Sequence, residues 1–259
     1  MSETTFVGID LAWTEKNRSG VAVLTGDRCG AHLIDADLKD YADVLTYVEN
    51  HTQDSTVIAI DAPLIIRNET GQRPCESALS KNYGSRHASC HSSNLSRHRN
   101  STGTRLTAQL ESLGFRHAPL LTHPLSGHVM LEVYPHPALV ELFRLPHTIK
   151  YKKGNVTERR RGQRELQQRL GELSSLSPPL EMTAQLYNPL QIDTNSLFGI
   201  ALKSNEDRLD AIVCAYIAYY YWFWGPRRAH LFGDVDSGYI IVPSLDDAPL
   251  IKPPRAPGN

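Results

Sequence analysis

Phe6-Val7-Gly8-Ile9-Asp10 and Val57-Ile58-Ala59-Ile60-Asp61 are two short apolar runs that each end on an aspartate. Residues 5–11 are apolar almost throughout, the pattern of a central strand covered on both faces. A carboxylate at the end of such a strand costs on the order of several kcal/mol unless something neutralises it. Two more acids open a strongly apolar stretch, Asp207-Arg208-Leu209-Asp210-Ala211-Ile212-Val213. Three residues apart on a helix, Asp207 and Asp210 share one face. Carboxylates drawn from separate elements to one place suit a divalent cation, for which hard oxygen ligands are preferred. The expected chemistry is metal-dependent phosphoryl transfer.

Outward from the first run, Asn17-Arg18-Ser19-Gly20 supplies turn chemistry, and strands are expected over Gly20–Leu24 and near Ala31–Ile34. Asp37 is placed to cap a helix in which Leu38, Tyr41, Ala42, Leu45 and Val48 recur at helical spacing. The strand Thr56–Asp61 stops at Pro63, which makes the order β-β-β-α-β. Residues 64–127 break the rhythm: they are rich in Ser, His, Arg and Asn, with one helix expected from Arg105 to Leu113. A polar segment that long is usually functional or disordered. A strand follows over His128–Tyr134, closed by Pro135-His136-Pro137, with a short helix over Leu139–Leu145. Thr157 can cap a basic helix to about Leu173, and 174–196 is a Ser/Pro/Asn-rich connection. The apolar helix is expected over Asn205–Trp224, with Ser204 as its cap and Asp207 as the capping-box partner. A hairpin over Leu231–Pro243 completes one domain, residues 1–245, with the insertion 64–127 inside it and a loose Pro-rich tail over 246–259.

Three antiparallel strands, a helix and further strands feeding one sheet form the layout of a ribonuclease H-like α/β fold. The expectation is a mixed sheet of order 3-2-1-4-5, with flanking helices and a long insertion after the fourth strand. Its first and fourth strands are parallel neighbours about 4.8 Å apart, so carboxylates at their ends can straddle metals about 3.5–4 Å apart. Gly8-Ile9-Asp10-Leu11-Ala12-Trp13, Ala59-Ile60-Asp61-Ala62-Pro63, Glu132-Val133-Tyr134-Pro135-His136-Pro137 and Asp207-Arg208-Leu209-Asp210-Ala211 resemble the signature blocks of the domain of unknown function 429 family. That family is described as predicted ribonuclease H-like nucleases. The blocks run in the family's order over nearly the whole chain, with 84–127 the least matched. The resemblance implies the fold and, beyond it, nuclease activity. The layout is also similar to Holliday-junction resolvases, with one acid on the first strand, one on the fourth and a spaced pair on the last helix. Asp61 stands where that group usually has a glutamate, and the insertion has no counterpart there.

Asp10, Asp61 and Asp210 are the expected ligands of Mg²⁺ or Mn²⁺ and the expected catalytic residues, with Asp207 or Glu132 completing the set. Two metals would activate a water and stabilise the leaving oxygen of a phosphodiester. Glu132 sits inside an apolar strand, so it is either a further ligand or the partner of a buried arginine. Arg67, Arg73, Lys150, Lys152 and Arg159 are expected to hold the nucleic acid. His136, between two prolines, is either a phosphate or water contact or a surface loop histidine.

The net charge of −1 conceals an asymmetry. Residues 67–105 carry seven Lys/Arg against two acids, and 150–169 carry eight against two. A polyanion-binding surface on an acidic body has this pattern, as do ordinary solvated loop and helix faces. Cys75, His87, Cys90, His91 and His98 match no closed zinc spacing. Tyr219-Tyr220-Tyr221-Trp222-Phe223-Trp224 suits core packing or a homodimer contact better than base stacking.

Leu209–Trp224, the most apolar stretch, is 16 residues long, short of the roughly 20 a membrane span needs. With a strand expected to start within five residues of Met1, no secretory leader is expected, and four scattered cysteines suit a reducing cytoplasm. No P-loop, GxGxxG, HExxH or GxSxG motif occurs, against common nucleotide, dehydrogenase, zincin and hydrolase chemistry. The alternative within enzymes is a phosphotransferase of the actin and sugar-kinase type, which requires two such domains and Gly-rich phosphate loops. The alternative outside enzymes is a nucleic-acid-binding module whose acids have become structural.

Overall fold

The computed structural model describes residues 3–121, 127–182 and 188–247. Its centre is a mixed, mostly parallel sheet. Strands β1 (Thr4–Asp10), β2 (Ser19–Gly26) and β3 (Ala31–Lys39) pair antiparallel. β4 (Ser55–Asp61) lies parallel to β1 on its other side. β5 (Arg116–His117) and β6 (Gly127–Glu132) extend the parallel half, and β7 (Leu180–Glu181) adds to β3. The sheet order is β5-β6-β4-β1-β2-β3-β7, and β8 (Ala229–Asp234) with β9 (Gly238–Pro243) makes a separate ladder.

Seven helices accompany the strands among the described residues: α1 (Tyr41–His51), α2 (Pro74–Tyr83), α3 (Leu95–His98), α4 (Thr102–Ser112), α5 (Pro135–Leu142), α6 (Val156–Glu172) and α7 (Gly199–Trp224). Strand side chains alternate between faces, and the core divides accordingly. Phe6, Val57, Ala59, Val129 and Leu131 pack toward α7, while Val7, Ile9, Ile58, Ile60 and Met130 pack with residues of α1 and α4. Asp10 and Asp61 continue the α7-facing series of their strands. Glu132, registered beside Ile60, falls on the opposite face.

Helix α7 is buried on nearly every side from Asn205 to Trp222, as expected of a helix without a polar stripe. It lies against β1, β2 and β4, and its other sides meet α5, α6 and β9. Two glycines allow this approach. A Cβ on Gly8 would stand 2.0 Å from the Ala211 carbonyl oxygen, and one on Gly20 would stand 2.0 Å from the Asp207 carbonyl oxygen. Any side chain at either position would push the helix off the sheet.

Several expectations need correction. α7 begins at Gly199 rather than Asn205, so Asp207 and Asp210 lie in its interior turns and answer no helix terminus. The insertion holds more than the one helix expected: α2, α3, α4 and β5 lie among its described residues. β3 continues through Asp37 to Lys39, so α1 starts two residues after that strand with Asp40 at the capping position. Pro135-His136-Pro137 opens α5 instead of closing a strand, because proline's fixed φ suits the first helical turn. Asn155, not Thr157, caps α6, its side chain accepting from the Glu158 N–H. The aromatic run is core: Tyr219–Trp222 are buried and Phe223 and Trp224 pack against them. The proposed loose tail falls almost wholly on residues 248–259, outside the described residues.

Candidate functional site

Parallel register sets the first pair of acids side by side: Asp10 and Asp61 are directly paired at the carboxyl ends of β1 and β4. Both are partly exposed there, where the strands give way to loops. The same Asp10 is paired on its other side with Gly20 of β2. Because the α7 backbone at Asp207 rests on Gly20, that turn of the helix is held beside Asp10. Asp210, one turn on, is fully buried and Asp207 nearly so.

Electrostatics report the crowding. Burial pushes the Asp61 carboxyl well above its usual range, against the pull of Lys152 and with the push of Asp10 and Asp210. Burial and the Asp10 charge raise Asp207 to about 7, with Lys203 pulling the other way. Burial likewise raises Asp210 to about 7, against Lys152 and with Asp10. Beyond burial, the Asp10 charge thus acts on Asp61, Asp207 and Asp210, and the Asp210 charge on Asp61 and Asp207.

The chain supplies its own cations. Lys152 Nζ lies 2.8 Å from Asp210 Oδ2, and Tyr151 donates its phenolic O–H to Asp210 Oδ1 at 2.6 Å. Burial works against the charge on Lys152, but Asp210, Asp10 and Asp61 together hold its pKa well above the usual lysine value. The Lys150–Lys152 segment reaches this position across Gly162 of α6, where a Cβ would stand 2.2 Å from the Lys150 carbonyl oxygen. On the outer side Lys203 Nζ meets Asp207 Oδ1 at 2.5 Å and Glu206 Oε1 at 2.7 Å. Arg159 closes the chain of charges on Glu206 at 3.1 Å.

The remaining expected residues have other partners. Arg73 is 1% exposed and grips Glu132 through Nη2–Oε1 at 2.5 Å and Nη1–Oε2 at 2.9 Å. Its Nε holds Glu76 at 2.8 Å, and the Leu64 N–H donates to Glu132 at 2.9 Å. Glu132 is thus the partner of a buried arginine, which ties the insertion to the sheet; Arg73, paired with two carboxylates and buried, is not open to a phosphate. Arg159 is likewise committed to Glu206. His136 contacts Thr148 Oγ1 at 3.1 Å and packs its ring 5.5 Å from that of Tyr151. Burial, then the nearby Lys152 and Lys153 charges, lower it to about 3. A neutral imidazole offers phosphate no charge. Lys150 and Arg67 are exposed, as a backbone contact requires.

Sequence reasoning missed Tyr151, Lys203 and Glu206. Lys203 carried a signal, four residues before Asp207 on one helix face. Nothing local marked Tyr151.

Hard carboxylate oxygens are the right donors for Mg²⁺ or Mn²⁺, and Asp210 Oδ2 is buried with the Lys152 ammonium, 2.8 Å away, facing it. The donor chemistry fits a divalent cation. In the arrangement described, however, the Lys152 ammonium stands among the acids. No group of three or more His, Cys, Asp or Glu among the described residues is set around a common metal position; this includes the Cys75–His98 cluster, and all four cysteines are free. No helix among the described residues is long and apolar enough to cross a membrane.

Comparison with curated proteins and with solved structures returned no match. A family described as Protein of unknown function (DUF429) matches residues 8–236, which include all four clustered aspartates and the whole of the central sheet's β4, β5, β6 and β7. The chain belongs to the DUF429 family.

Proposed function

We propose that the cluster is the centre of a Mg²⁺- or Mn²⁺-dependent nuclease that hydrolyses phosphodiester bonds on a ribonuclease H-like core. The observation that carries this reading is the direct pairing of Asp10 with Asp61 at the ends of two parallel strands, with Asp207 and Asp210 brought to the same end by α7. The succession β3-β2-β1-β4-β6 within the sheet supports the fold assignment. When bound, a divalent cation supplies Lewis-acid stabilisation of charge on phosphate oxygens and lowers the pKa of a coordinated water. Asp10, Asp61 and Asp210 would hold it, with Asp207 completing the set. Tyr151 fixes the orientation of the Asp210 carboxylate through its 2.6 Å hydrogen bond. Lys152 balances the acids until a cation does so. Exposed Arg67 and Lys150, rather than Arg73 or Arg159, meet the backbone of the nucleic acid. Free thiols fit a cytoplasmic setting for this activity.

The Lys152–Asp210 pair also favours a second reading, a nucleic-acid-binding module whose acids are structural and internally neutralised. A cleavage panel decides between them: single-stranded, duplex, hybrid and branched substrates with Mn²⁺, using the parent and Asp10→Asn. The nuclease reading expects cleavage by the parent that vanishes in the variant. Binding without cleavage by either protein assigns the chain to the module.

A further inference from the structure

Among the described residues, few large apolar side chains are exposed, and Trp13, at 51%, is the one that follows a site acid in the chain. It stands three positions after Asp10, so their Cα atoms are within about 11 Å. The loop that carries it is braced at each step. The Ala12 N–H donates to Ser19 Oγ at 3.0 Å, Thr102 Oγ1 donates to the Ala12 carbonyl at 2.7 Å, and Glu15 pairs with Arg105. On one side the indole meets the His98 ring of α3, centroids 5.1 Å apart and planes at 45°. α3 is itself held by Asn94, whose side chain donates to the Gly71 carbonyl at 2.9 Å and accepts from the Arg97 N–H at 3.2 Å. Arg97 and Arg99 are exposed beside His98.

A core role does not explain a half-exposed tryptophan whose loop is pinned by three contacts. A protein-docking role would call for a wider apolar patch around it, whereas the residues flanking His98 are the exposed, basic Arg97 and Arg99. A rigid aromatic face backed by a histidine, with exposed arginines on either side of that histidine in the chain, matches how single-stranded nucleic acid is held, with bases stacked on the ring and phosphates on the cations. We propose that Trp13, backed by His98, is a stacking platform for a nucleobase of an unpaired strand, with Arg97 and Arg99 on its phosphates. The proposal rests on the nuclease reading for its purpose: the stacked base would register the strand so that a neighbouring phosphodiester reaches Asp10 and Asp61. It makes the expected substrate single-stranded or locally unpaired, since a base inside a duplex has no free face.

The test is binding, not cleavage. A single-stranded oligonucleotide and an abasic strand of equal length are titrated in EDTA against Asp10→Asn, which cannot consume the strand. The same titrations are made with Trp13→Ala and Trp13→Phe added to that variant. Base–aromatic stacking predicts that Trp13→Ala weakens binding of the base-bearing strand by about 5- to 150-fold, that Trp13→Phe retains most of it, and that the abasic strand does not distinguish the three. Equal binding of the base-bearing strand by all three, or an equal loss on the abasic strand, overturns the platform, as does absence of binding. The two proposals separate cleanly. Cleavage by the parent without a Trp13 effect removes the platform alone, and a Trp13 effect without cleavage removes the nuclease reading alone.

Discussion

Lys152 Nζ lies 2.8 Å from Asp210 Oδ2, so a cation belonging to the chain stands beside Asp210 and feels the charges of Asp10 and Asp61 as well. Removing it as Lys152→Gln should leave the acids uncompensated and destabilise the protein by about 3 kcal/mol, the lower end for breaking a buried pair because the lysine retains some exposure. The loss should be largest near pH 8 and smaller near pH 5, where the acids can take up protons instead. Affinity for Mn²⁺ should rise, since the ion no longer has to displace an ammonium. Urea unfolding at the two pH values and a Mn²⁺ titration check both statements; unchanged Mn²⁺ affinity would show that Lys152 and the ion do not compete.

Asp207 and Asp210, both near 7, and the strongly raised Asp61 give stability a definite pH dependence. In the folded chain these groups hold protons that the unfolded chain has released above about 4, the ordinary aspartate range. Their contribution to stability is therefore largest below that value and is lost as pH rises toward 7. In EDTA the melting temperature should decline over this window, and Mn²⁺ at pH 7.5 should restore it. Asp207→Asn should flatten the decline. A melting temperature independent of both pH and Mn²⁺ would mean that burial and the neighbouring charges do not hold these carboxyls protonated.

Gly8→Ala should be severe, because its methyl would stand 2.0 Å from a backbone oxygen of α7. The expected loss is about 3 kcal/mol or more. Gly30→Ala is the control: its Cβ would meet Pro179 at an ordinary 3.6 Å. If the two variants unfold at the same urea concentration, α7 is not held against β1 as described.

The Arg73–Glu132 pair should behave as a structural clasp. Arg73→Met leaves Glu132 and Glu76 buried without a counter-charge and should cost about 3–5 kcal/mol; adding Glu132→Gln should recover part of that. Glu132→Gln alone should retain any metal-dependent cleavage that Asp10→Asn abolishes, because Glu132 faces the other side of the sheet. Loss of cleavage with an intact fold would return Glu132 to the metal ligands.

The apolar runs ending in Asp10 and Asp61 were readable because β1 and β4 are covered on both faces, which leaves their aspartates conspicuous. The acids of α7 were readable by spacing. Their position within the helix was not, since residues 199–204 carry no apolar periodicity and the helix is held by packing. Alternation along β6 already contained the answer for Glu132: two residues from Met130, it must share that residue's face, away from Asp61. Arg73 and Arg159 looked like phosphate contacts because a basic residue's partner is invisible when it lies 59 or 47 positions away. Helices α2 and α3 were hidden by polar composition, and α2 is fixed chiefly by Arg73, Glu76 and the β8–β9 ladder on which it packs.

The most direct test of the central claim is a Mn²⁺ titration at pH 7.5, with free ion followed by electron paramagnetic resonance, for the parent, Asp10→Asn and Asp61→Asn. If the four carboxyls form one cation site, the parent binds Mn²⁺ saturably and each variant, still folded, binds roughly tenfold more weakly or worse. Equal binding by all three proteins, or none by the parent at millimolar Mn²⁺, would contradict it.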